Sequence, residues 1–138
     1  MAQGTPILTT TVRATGVIAR GRGVTFAGAQ VAGAGVKIQG IAQTAGVAGQ
    51  DLALVSMGAA ICEAGAAIVL GAAVAMDAQG RVVTATALQI AAGATPMTST
   101  AANGATVITG GEPPQFVVGD AMQAAGAAGE FIEVLLRR

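Results

Sequence analysis

Histidine, tryptophan and tyrosine are absent from these 138 residues, and cysteine occurs once. Each absence excludes something. Without histidine, the commonest general base and the commonest zinc ligand are missing. The single Cys62 allows no intrachain disulfide and no thiolate cluster. The aromatic complement is Phe26, Phe116 and Phe131, too sparse for the stacking platforms of single-strand nucleic-acid binders. Charge is scarce and balanced, with seven basic and seven acidic side chains. That leaves no basic footprint for nucleic acid and no acidic tail. Ser56 and Ser99 are the only serines, and neither has a base to activate it. The chain reads as a non-enzyme with no cofactor and no metal.

What is present is small and apolar. Counting the sequence gives 33 Ala beside 21 Gly. The length suits one domain over residues 1–138. The mean hydropathy of +0.68 raises the question of a membrane. The most apolar uncharged run, Ala64 to Met76, is shorter than the ~20 residues a spanning helix needs. Val82 to Gly111 is longer but full of Thr, Gly, Gln and Asn. The first residues, MAQGTPILTTTVRATG, lack the basic start and apolar core of a signal peptide. These features predict a cytosolic, soluble protein without nucleic-acid or membrane partners. Surface charge usually supports solubility, so its scarcity predicts a surface covered by copies or partners.

Short Val, Ile, Leu and Thr segments separated by glycines predict an all-β domain, a compact barrel-like or sandwich fold with at most one or two short helices. Strands are expected over Thr5–Val12, Val24–Phe26, Val36–Gln39, Asp51–Ser56 and Ala60–Glu63. Ala73–Met76 and Arg81–Thr84 flank Asp77-Ala78-Gln79-Gly80, the signature of a hairpin. Leu88–Ala92 reads as a short helix or strand, and Thr95–Gly104 as loop. Gln115–Val118 and Asp120–Ala124 are expected as strands on either side of Gly119. In Glu130–Leu136, Ile132, Val134 and Leu136 share one face and Phe131, Glu133 and Leu135 the other. A strand apolar on both sides is buried centrally or meets another subunit. GAQVAGAG, GVAGQ, EAGAAIVLGAAV and QAAGAAGE are alike in composition but share no fixed period, which argues against a solenoid.

No constellation of residues carries chemistry. Arg20-Gly21-Arg22-Gly23 has too few cations nearby for useful phosphate affinity and reads as a turn with solvated or interface arginines. Gly33-Ala34-Gly35 precedes a strand pattern, not the helix of a dinucleotide site. Asp51, Glu63, Asp77, Glu112, Asp120, Glu130 and Glu133 are scattered and read as structural. Cys62, between Ile61 and Glu63, reads as a buried small hydrophobe.

The order of segments is more informative. Val24-Thr25-Phe26, Gly40-Ile41-Ala42, Ala48-Gly49-Gln50-Asp51, Gly58-Ala59-Ala60-Ile61, Gly71-Ala72-Ala73-Val74 and Asp77 to Val83 succeed one another, and Gly119 to Leu136 (GDAMQAAGAAGEFIEVLL) closes the chain. Together they resemble the capsid cement, or head decoration, proteins of tailed bacteriophages. The resemblance covers residues 1–86 and 115–138, leaving 87–114 as a variable, loop-rich insertion. It implies a homotrimer on the outer surface of the virion, made in the bacterial cytoplasm, that clamps neighbouring major capsid protein subunits and stabilises the expanded head. It supplies no catalytic residue. It implies a capsid-contacting arm over residues 1–13, with Thr5, Pro6, Ile7, Leu8, Thr9 and Arg13 in contact, joined by Arg20 and Arg22. Phe131, Glu133 and Leu135 are the expected oligomer contacts. The alternatives are another virion module, such as a head-fibre base or tail component, and a small β-barrel ligand-binding module.

Overall fold

A computed structural model describes residues 3–86, 98–102, 105–109 and 115–137. Among them there is no helix. The elements are β1 (Pro6–Arg13), β2 (Gly23–Val24), β3 (Gly40–Ala42), β4 (Asp51–Glu63), β5 (Ala73–Met76), β6 (Val82–Thr84), β7 (Thr98–Ala102), β8 (Ala105–Thr109), β9 (Gly119–Ala121) and β10 (Phe131–Leu136). Eight of them form one antiparallel sheet in the order β2-β3-β4-β10-β9-β5-β6, with β1 added to β4. Its ends curl together. The Gly23 N–H donates to the Gly80 carbonyl at 2.7 Å, and the Gly65 N–H donates to Val82 at 2.7 Å. The result is a nearly closed barrel, which removes most of the exposed edge that open sheets must manage. The all-β expectation holds.

β4 organises the sheet. β1 pairs with Asp51–Gly58 along one edge, and β3 and then β10 follow each other along the other. The registers of β1 and β4 slip between Leu8 and Thr9, opposite Ser56. A slip of one residue turns side chains to the other face of a sheet. Leu52 and Leu54 accordingly enter one hydrophobic cluster, while Val55, Ala60 and Cys62 enter another. The joint is tight. Gly58 has φ +100°, and a Cβ there would stand 2.6 Å from the Ile7 nitrogen. Ser56, buried in the joint, shares a 2.7 Å hydrogen bond with the Thr10 hydroxyl.

The barrel contains the same module twice. The first runs from β1 to the start of β4, and the second from the end of β4 to β10. Arg13 and Val12 pair with Asp51 and Leu52; Glu63 and Cys62 pair with Phe131 and Ile132. Val24 pairs with Gly40 as Val74 pairs with Gly119. Ala42 pairs with Leu54 as Ala121 pairs with Val134. The loop bonds repeat as well. Ile18 and Gly46 exchange two bonds at 2.9 Å, and so do Ile68 and Ala125. The Ala14 N–H donates to Gln50, and the Ala64 N–H to Glu130. Ala14, Ile18, Val24, Ala42, Leu52 and Leu54 fill the first core. Their counterparts Ala64, Ile68, Val74, Ala121, Ile132 and Val134 lie in the second. β4 therefore closes one module and opens the next.

Several local expectations hold. The β5–β6 hairpin forms around Asp77, whose Oδ1 accepts from the N–H groups of Gln79 and Arg81. β1 spans the Thr-rich start, and β10 buries Ile132, Val134 and Leu136 as its alternation predicts. Others are corrected. Val36–Gln39 has no ladder partner, Val36 is exposed and only Ile38 is buried, and the strand begins at Gly40. Gln115–Val118 is not strand, and β9 begins at Gly119, where the Leu135 carbonyl occupies the space a side chain would need. Asp51–Ser56 and Ala60–Glu63 are one strand that bends through Gly58. Part of Thr95–Gly104 is strand, since β7 pairs with β8 in a separate hairpin. Leu88–Ala92 lies outside the described residues.

Candidate functional site

The side chains singled out in the sequence fall into two groups. The first is β1. It pairs with β4 alone, so among the described residues no strand covers its other edge. The Ala14 N–H turns inward to Gln50, and alternation then points the N–H groups of Thr9, Thr11 and Arg13 toward the open edge. Thr5 to Thr9 are all exposed, with Ile7 the most so among the larger side chains at 75%. Only Val12 packs against the first core. The strand is well bonded along one edge and bare along the other.

The second group surrounds β10. Phe131 and Leu135 are exposed on its outer face, with Glu133 half-buried between them. The Arg20 guanidinium lies over the Phe131 ring, 5.7 Å from its centre. Across the sheet, Leu135 stands opposite Ala59, and Met57 opposite Leu8. The exposed Leu8, Met57, Leu135 and Phe131 thus extend an apolar face from the bare strand to β10. A separate cavity of about 220 Å³ is lined by Pro6, Arg20 and residues of β3 and β4, among them Ile41, Val55, Ala59 and Ile61. Of the expected contacts, it brings together Pro6 and Arg20.

Arg22 stands apart. Its Nε and Nη2 bind the two Glu63 carboxylate oxygens at 2.7 and 2.8 Å, and its Nη1 donates to the Gln79 carbonyl at 2.8 Å. This half-buried, two-pronged pair ties the first module to the second. The acids are likewise engaged locally. Asp77 binds Arg81 within the hairpin, Asp120 binds Arg137, and Glu130 accepts from the Gly126 N–H. Among the described residues no cluster of acids and thiol has the makings of a metal site. Burial holds the Cys62 thiol neutral by raising its pKa far above the ordinary value.

Three surface features were not singled out in the sequence. Val69 and Leu70 form a turn with both side chains in solvent, at 71% and 69% exposure. The AGAAIVLGAAV run gives no sign that Ile68 is buried while its neighbours Val69 and Leu70 point outward. Val17 and Val47 flank the Ile18–Gly46 bridge and are also exposed. An open groove of about 260 Å³ beside Phe116 carries Lys37 and Arg137 on apolar walls that include Ile38, Val118 and Leu136. Among the described residues no helix is long and apolar enough to cross a membrane. Compared with known proteins, the chain matches no family model and no curated protein.

Proposed function

We propose that the protein is a structural component of a virus particle, a capsid cement protein. In this reading it sits as a homotrimer on the outside of a tailed-phage head and clamps neighbouring major capsid protein subunits. The resemblance over residues 1–86 and 115–138 suggests the role. The observation that carries it is the bare edge of β1, whose upstream half, Pro6 to Thr9, is exposed. An extended edge of this kind takes up another strand through backbone hydrogen bonds, with little demand on side chains. Symmetry multiplies such modest contacts into tight attachment. The apolar face holding Phe131 and Leu135 adds surface that favours a covered position over a solvated one.

The test is binding to expanded heads. Thr9→Pro removes an N–H that points away from β4, leaving the internal ladder intact. Deleting residues 2–8 removes the exposed half of the strand while keeping Val12 in place. Both variants should fold and lose head binding. Binding at the wild-type level by both would overturn the reading, as would density on purified particles confined to the tail.

A further inference from the structure

The module that occurs twice has one contact made only once. In the first module the Gly21 carbonyl accepts from the Glu63 N–H at 3.0 Å, on the outward edge of the second module's opening strand. Glu63 corresponds to Arg13, and Gly21 to Gly71. Both glycines hold the same conformation, at φ +74° and +78°. Yet Gly21 is buried, with the Phe131 ring and the Glu63 nitrogen within 3.1 Å of a Cβ placed there, whereas Gly71 has nothing within 4 Å. The Arg13 N–H, for its part, points to the bare edge of β1. One half of the contact is thus left open in each module, at Arg13 in the first and at Gly71 in the second.

From this we propose that the protein assembles head to tail. The Val69–Gly71 turn of one copy seats against the Arg13 end of β1 in the next, and the Gly71 carbonyl accepts from the Arg13 N–H. Repeated modules stack through one conserved neighbour contact, and a terminal module without its neighbour shows that contact as bare surface. Here the bare turn carries two large apolar side chains, Val69 and Leu70, as an occupied interface requires. The charges also allow it. The internal joint sets Arg22 against Glu63, while the corresponding positions are Ala72 and Arg13, so no like charges meet. Leu70 packs on the methylene stem of Arg13, which keeps its charged tip in water. A contact between two different surfaces can join more than two copies, and closes into a ring where the rotation between copies allows, unlike a two-fold contact. The inference specifies the self-contact within the reading above and does not depend on attachment to a shell. It places that contact at Leu70 and Arg13, away from Phe131.

Light scattering on the full chain tests it. Wild type should give a multiple of the 13.2 kDa chain mass. Leu70→Asp charges the turn, and Arg13→Pro removes the edge N–H; each should give the mass of one chain that still unfolds in a single cooperative transition. Mixing the two variants is decisive. Each keeps one intact surface, so an equimolar mixture should form a dimer and stop there. A monomeric wild type overturns both this contact and the homotrimer. Loss of the oligomer in Phe131→Asp, with Leu70→Asp and Arg13→Pro still assembled, overturns the head-to-tail contact alone. A mixture that stays monomeric shows that the contact is not between these two surfaces.

Discussion

The two modules share a fold and a bonding pattern but sit in different surroundings. The first has its opening strand, β1, at the surface with one edge bare; the second opens on β4, which is covered along both edges. The first turns through Arg20-Gly21 against Phe131, the second through Leu70-Gly71 into solvent. Four of the six core positions hold the same residue in both modules, and at the other two Ile132 and Val134 stand where the first module has Leu52 and Leu54. The difference teaches that burial pattern and loop bonds define the module, whereas surface residues follow what lies next to each copy.

The largest expected effect tests whether the modules stand or fall together. Ile18→Ala and Ile68→Ala remove equivalent, fully buried side chains, each costing about 2–5 kcal/mol. Because both modules own part of β4, calorimetry should show one transition in either variant, shifted down by similar amounts. Two separate transitions would break the coupling. Next, Arg22→Ala deletes the tie between modules and leaves Glu63 without its partner. A cost of about 2 kcal/mol is expected in chemical denaturation. A loss within experimental error would show that the joint rests on packing alone.

A smaller effect separates the two turns. Gly71→Ala should cost about 1 kcal/mol, because only the left-handed backbone opposes it. Gly21→Ala meets that backbone cost and the Phe131 ring as well, so its melting temperature should fall further. Equal losses would mean that the ring moves aside freely. The smallest effect concerns Cys62, which fills the place of Val12 in the second module. Its folded pKa is raised, so the stability it contributes is complete below the unfolded thiol pKa and fades as pH rises above that value. A thiol reagent should label it only on unfolding; rapid labelling of the native protein would show that this part of the core opens.

The sequence made some of this legible and hid the rest for physical reasons. The β5–β6 hairpin is readable because Asp77 and Gly80 specify the turn locally. The faces of β10 are readable because alternation is strict over its length. Val36–Gln39 looks like a strand because apolar and polar residues alternate in the sequence, yet Val36 is exposed and strand identity depends on a neighbour that only the tertiary structure supplies. The duplication is nearly invisible. Most of its identical pairs, such as Ala14 and Ala64, Gly21 and Gly71, or Gly40 and Gly119, are small residues common throughout the chain, and Ile18 with Ile68 and Val24 with Val74 are too few to stand out. The long segment between β6 and β9 also prevents any constant spacing. Of the candidate contacts, Thr5 to Thr9 and Phe131 were legible as surface apolar or β-prone residues. That Arg22 is bound to Glu63 was not, because their meeting depends on barrel closure.

The connection from β2 to β3 and the one from β5 to β9 occupy the same station in the two modules. One is a short linker from Thr25 to Gln39; the other holds β6 and the β7–β8 hairpin. The bonds flanking the station are the same in both: Gln39 N–H to Val24, and Val118 N–H to Val74, each at 2.8 Å. The same flanking bonds thus accommodate connections of very different length. A foreign epitope or a folded cargo spliced between β7 and β8 would be displayed from a site where added length leaves the barrel unchanged.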